Sequence, residues 1–324
     1  MASSIGFVGW LLQVALLFAA CVPAAPAETW PARPVKLVVP FAAGSATDAM
    51  ARVLAQELAA RLGQNVVVDN RAGAFGQIAA VHVARAAPDG YTLFVTTNTT
   101  HSANPHLYRG LPYDPLKDFE PVARTATLPF MLVVGPAFPA RTAREWLDQA
   151  RARTGEVTFA TASSTSLVAA RTAGRLAGVQ LTAVPYKASP QAVLDVAGGQ
   201  VHCMFADFAT AMPLVQSGRL RVLAVATGVR SPLLPAVPPL AETIPGFEVG
   251  SWNGVFAPAG TPRELVGRVG DEVLRILAKP DVRDRLAALG FEVAPLGPEA
   301  LGRYVRDQLQ VWGRMIRDAG ILPE

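Results

Sequence analysis

The chain has 324 residues, 51% hydrophobic and 17% charged, a balance that suits a well-packed globular protein of two ordinary domains and excludes a disordered one. Its 29 Lys and Arg stand against 25 Asp and Glu, a small and scattered excess. The densest basic cluster, Arg141, Arg144, Arg151 and Arg153, is spread along one expected helix, so it reads as a solvated helix face and not as a nucleic-acid footprint.

Residues 5–22 are almost wholly apolar and run into a small-residue segment, with Ala25 and Ala27 placed for cleavage before Glu28. Residues 1–27 therefore read as a secretory signal peptide, although no Lys or Arg precedes Trp10. A second processing route is open, because Leu17-Phe-Ala-Ala-Cys21 approximates a lipoprotein signal with Cys21 as the acylated residue. The apolar core is at the short end of the ~20 residues that a membrane span requires. After cleavage Cys203 is the remaining cysteine, so no intramolecular disulfide is expected, and its apolar neighbours suggest a buried inert thiol.

Residues 35–39 read as a strand covered on both faces, and residues 46–62 carry Met50, Val53, Leu54, Leu58 and Leu62 at helical spacing. The small residues Ala42, Ala43, Gly44, Ser45 and Ala46 lie between them and let a ligand approach the main chain. The first amides of the helix lack partners within it, so the turn is a candidate carboxylate or phosphate pocket. The alternative is an ordinary strand-to-helix turn capped by Thr47 or Asp48.

Further short β-rich runs fall at 66–68, 92–96, 131–134, 157–160, 181–184, 201–205 and 222–226, alternating with helical patterns. That alternation predicts an α/β protein with mainly parallel sheets. Pro- and Gly-rich stretches at 129–139 and 231–250 break the series and mark crossings between two domains, expected at 28–127 plus 250–324 and at 128–249. Two amphipathic helices close the chain, over residues 262–278 and 298–319.

Several segments accumulate beside the first loop: Val66-Val-Val-Asp-Asn-Arg-Ala-Gly73, Ala87-Pro-Asp-Gly-Tyr-Thr-Leu93, Asn104-Pro-His-Leu-Tyr108 and the run from Leu111 to Val122. Val184-Pro-Tyr-Lys187, Gly218-x-Leu-Arg221 and Ala257-Pro-Ala-Gly-Thr-Pro262 follow. In this order they resemble the substrate-binding receptors of tripartite tricarboxylate transporters, the Bug-type periplasmic family, from about Trp30 to the end. The resemblance implies a two-lobed periplasmic binding protein, type II-like, with a ligand cleft between the lobes. It also implies a periplasmic receptor, not an enzyme, which captures a small carboxylate, such as a di- or tricarboxylate or an aromatic acid, for the membrane permease subunits. No cofactor and no metal are expected, and the protein is expected to be a monomer. A different class of function also fits, a ligand-sensing interaction protein acting on a membrane signalling kinase; a periplasmic hydrolase is a third reading, which predicts turnover.

In such receptors main-chain amides and small hydroxyls from two loops hold the carboxylate. Carried onto this chain, the first loop offers Phe41, Ala43, Gly44, Ser45, Thr47 and Asp48, with Asp48 in a capping or water-mediated role because like charges repel. The second offers Thr161, Ser163, Ser164 and Ser166. Ser163 and Thr165 stand where the family commonly has glycines, and Ala169 where it has a histidine. Phe75 replaces a usual glycine, and either narrows the cleft or is buried away from it. Asn98, after the strand at 92–96, and Asp207, after the strand at 201–205, are placed where an α/β cleft presents polar groups. His82, His101, His106 and His202 have no metal-ligand spacing, and no Gly-x-Ser-x-Gly elbow occurs.

Overall fold

The computed structural model describes residues 30–324, and the signal-peptide and Cys21 expectations fall outside them. Residues 34–324 form one compact unit, and the fold described below is theirs. It begins with β1 (Val35–Val39), α1 (Ala46–Leu62), β2 (Val66–Asn70), α2 (Gln77–Ala84) and β3 (Thr92–Thr97). Helix α1 buries Met50, Val53, Leu54 and Leu58 and stops at Gly63, whose left-handed φ of 67° a glycine adopts without steric cost. A π-helical turn, Thr99–Ala103, then leads into α3 (Asn104–Leu107).

Strand β4 (Phe119–Leu128) meets β5 (Phe130–Val134) across the single residue Pro129, so the chain passes from one sheet to the next almost without a loop. The second sheet is completed by α4 (Ala143–Ala152), β6 (Thr158–Thr161), α5 (Ser164–Ala177), β7 (Thr182–Pro185), α6 (Ser189–Ala197), β8 (Cys203–Asp207), α7 (Phe208–Gln216) and β9 (Arg221–Val225). The chain then returns through β10 (Ser251–Pro258), α8 (Arg263–Ala278), α9 (Pro280–Ala288), β11 (Glu292–Leu296) and α10 (Pro298–Asp318).

The strand orders are β11-β4-β10-β3-β1-β2 and β7-β6-β8-β5-β9. Both sheets are mixed, which corrects the mainly parallel expectation: β10 runs antiparallel to β3 and β4, and β5 antiparallel to β8 and β9. The antiparallel strands belong to the crossings, where the chain must reverse into a sheet already begun. Strand β4 was hidden by Pro121 and by charged residues, whereas β5 coincides with the run expected at 131–134, inside the stretch read as a crossing at 129–139.

Each sheet has its own core. Val38, Phe94, Trp252, Phe256 and Leu301 pack in the first, and Met131, Val133, Met204, Phe208 and Leu220 in the second. Helix α10 buries Leu301, Val305, Trp312 and Ile316, the face expected from its spacing. Cys203 is fully buried in β8, and burial pushes its thiol up to about 12, so it is inert at neutral pH.

Candidate functional site

Four helices direct their N-termini toward a cavity between the two sheets. Helix α1 is capped by Ser45, whose Oγ accepts from the Asp48 N–H at 3.3 Å; the cap is therefore Ser45 and not Thr47 or Asp48. Helix α5 is capped by Ser163, whose Oγ accepts from the Ser166 N–H at 3.2 Å, while the Ser166 hydroxyl accepts from the Ser163 N–H at 3.2 Å. Asp207 caps α7, its Oδ1 accepting from the Thr210 N–H at 2.8 Å, and Ser189 opens α6. The partial positive charge at each of these ends favours an anion between them.

The cavity is lined by Phe41, Ser45, Thr47, Ser163 and Asp207 among the residues singled out in the sequence. Thr97, Thr99, Thr165, Ser189 and Ser251 add polar groups, and Ala46, Leu128 and Phe130 add apolar wall. Among the described residues, no Lys, Arg or His side chain lines it. Its volume is about 30 Å³, room for two or three waters at the ~10–15 Å³ that each needs.

The other residues singled out stand behind this surface or outside it. Ala43 and Gly44 are exposed. Asp48 is turned into its own helix, where Oδ2 accepts from the Gly44 N–H at 3.0 Å and from Arg52 Nε at 2.9 Å. Burial raises its pKa, but the Arg52 and Gly44 bonds together prevail and hold the carboxyl below its ordinary value. Thr161 and Ser166 are buried in the turn, their hydroxyls 3.1 Å apart. Phe75 is half-buried in a 3₁₀ turn at φ 46° and does not line the cavity; its carbonyl accepts from Asn104 Nδ2 at 2.9 Å.

Asn98 and Ser164 instead tie the two halves together. Asn98 is fully buried; its Nδ2 donates to Thr165 Oγ1 at 2.8 Å, and its Oδ1 accepts from the Ser251 hydroxyl. Ser164 Oγ donates to Asn104 Oδ1 at 2.8 Å. Thr165, which stands where a glycine was expected, and its neighbour Ser164 thus join the two sides directly, whereas Ser163, at the other expected glycine, caps its own helix. Beneath them His101 is fully buried, its ring centroid 4.0 Å from that of Phe256, and burial drives its pKa down to about 3, so the ring is neutral.

Leu128, Phe130 and Ser251 escaped sequence reasoning because they carry no chemical signature. A signal was nonetheless present: each adjoins Pro129 or Gly250, and a segment that crosses between two sheets necessarily passes the space between them.

The family model described as "Tripartite tricarboxylate transporter family receptor" matches residues 50–321. The chain belongs to that family. It is a solute-binding receptor by family and not an enzyme. A UPF0065 protein of Bordetella bronchiseptica is 38% identical to this receptor over 320 residues, 98% of this chain and 95% of its own. Among solved structures, R. palustris Rpa4515 with adipate matches at a TM-score of 0.89 and 37% identity, covering 91% of this chain and 100% of that one. MatC from Rhodopseudomonas palustris, with bound malate, matches at 0.83 and 36%, covering 89% and 100%. The receptor therefore has the periplasmic binding protein fold that the sequence implied.

Among the described residues Asp207 is the one carboxylate at the cavity wall, and burial raises its pKa despite the bonds from Thr210. A carboxyl that titrates higher folded than unfolded keeps its proton in the folded state across the window between the two values. Receptor stability therefore falls as pH rises from the ordinary carboxylate range through that raised value, by about 1.4 kcal/mol per tenfold difference in proton affinity. Asp207→Asn keeps a capping oxygen and is expected to flatten this slope in urea titrations taken across the window. An unchanged slope would remove the assignment.

Proposed function

We propose that this receptor captures a small carboxylate, a di- or tricarboxylate or an aromatic acid, and delivers it to the membrane subunits of a tripartite tricarboxylate transporter. It works as a periplasmic monomer after cleavage before Glu28, with lobes at 28–127 plus 250–324 and at 128–249. The observation that carries this reading is the convergence of the Ser45 and Ser163 helix ends, from opposite sheets, on a hydroxyl-lined cavity with no cationic side chain. The adipate and malate held by two relatives of the same fold support the carboxylate class.

The magnitudes suffice without an arginine clamp. A hydrogen bond to a charged group contributes about 1.5–3 kcal/mol, and four or five of them, less the cost of association, reach the roughly 8 kcal/mol of a micromolar complex. The halves must part for a ligand to enter, because the cavity of about 30 Å³ cannot hold a dicarboxylate.

The test is a calorimetric titration of a panel of acids, each against its neutral amide. The acid is expected to bind at least about tenfold more tightly, equivalent to ~1.4 kcal/mol. Equal affinities would refute a pocket built for a charge, and no heat from any acid would refute the carboxylate class.

A further inference from the structure

A second concavity lies away from the cavity just described, between α8 and α10 where both pass over the start of β4. This open groove has a volume of about 970 Å³, and its apolar floor is formed by the buried Phe119 and Val266 with the half-buried Pro121 and Pro298. Arg263, Arg303, Arg306 and Lys117 line it against only two carboxylates, Glu120 and Glu299. Arg303 stands 4.0 Å from Glu299 and Lys117 3.5 Å from Asp114, whereas Arg263 and Arg306 reach no carboxylate among the described residues. Leu116, 46% exposed, sits at its rim and is shared with a neighbouring concavity that also contains Tyr108, Leu111 and Leu309. An apolar centre within a charged rim is the anatomy of an interface.

The glycines of α8 give an independent pointer. Gly270 is required by packing, since a Cβ there would stand 2.9 Å from the Val122 carbonyl oxygen. Gly267, three residues earlier and in the groove, has nothing within 4 Å of that position. A glycine inside a helix costs about 1 kcal/mol relative to alanine, and here no internal contact accounts for it. Gly302 faces the same groove from α10, where a Cβ would meet Pro121 at 3.4 Å. The free chain therefore keeps the groove floor open at a cost to its own helix.

We propose that this groove is a docking site for an acidic, extended segment of a protein partner, in which carboxylate side chains meet Arg263 and Arg306 and an interleaved apolar residue covers Leu116. Charge complementarity selects this occupant: a second copy of the groove would bring the same unpaired arginines together. The site is separate from the ligand cavity, so the proposal stands or falls independently of the carboxylate reading.

The test is fluorescence anisotropy of the whole mature protein with a labelled twelve-residue peptide of alternating Glu and Leu. Lys-Leu and Glu-Ser peptides serve as comparators, and phosphatidylglycerol vesicles as a separate arm. Saturable binding of the Glu-Leu peptide alone is expected, weakened at least about tenfold by Arg263→Glu with Arg306→Glu. Gly267→Leu is expected to abolish binding while leaving the melting temperature unchanged or raised, because it fills the groove and improves the helix. Equal binding of all peptides, binding insensitive to these substitutions, or binding of vesicles in place of the peptide would each overturn the proposal.

Discussion

Asn98→Ala is expected to destabilise the protein by about 2–3 kcal/mol and to loosen the closed arrangement of the two halves. The amide spans the divide, giving a hydrogen bond to Thr165 at 2.8 Å and accepting one from Ser251. Its removal strands two hydroxyls, and a stranded buried polar group costs roughly 1–3 kcal/mol. Both hydroxyls border the cavity, so water can reach them, which keeps the total toward the lower end of the sum. The effect appears as a lower urea midpoint at constant slope, with an increased radius of gyration in solution scattering. A cycle with Thr165→Val isolates the pair, and a coupling below about 0.5 kcal/mol would show that the contact does not hold the halves together.

Gly290→Ala is the second large effect, expected at about 2–5 kcal/mol. Gly290 ends the turn after α9 at φ +83°, and a Cβ there would stand 2.4 Å from Phe208 Cβ and 3.3 Å from the Ala209 nitrogen. The left-handed backbone costs a non-glycine residue about 1–2 kcal/mol, and overpacking adds about 1–3 kcal/mol because the obstacle is the fixed start of α7. Gly63→Ala provides the comparison: φ is +67° and no atom lies within 4 Å, so it carries the backbone cost alone, about 1–2 kcal/mol. Equal urea midpoints for the two variants would refute the steric argument. Phe208 follows Asp207 directly, so Gly290→Ala is also expected to weaken ligand binding more than Gly63→Ala does.

Periodic elements were legible because one-sided or two-sided burial leaves a pattern in the residues. The strand at 35–39 and the helix at 46–62 were readable from their own residues, and α10 was readable to within a residue. Strands β4, β10 and β11 were not, because pairing partners distant in sequence stabilise them: Ser251 pairs with Leu128, and Glu292 with Thr127. The site divides in the same way. The loop that holds Ser45 could be read from its strand-to-helix turn, though the cap was expected at Thr47 or Asp48, and Ser163 came from the family resemblance. The interlocking of Asn98 with Thr165 and of Asn104 with Ser164 could not, since it depends on how two separately built halves meet.

Strand β10 lies between β4 and β3, and among the described residues no other strand joins those two. Until residues 251–258 have been synthesised, the first sheet exists only as the β1, β2 and β3 group and a separate β4. The second sheet is complete in sequence once Val225 has emerged. The second sheet therefore draws all its strands from one continuous stretch, while the first needs β10 and β11 from the far end of the chain. The half that the chain begins first is the one it finishes last.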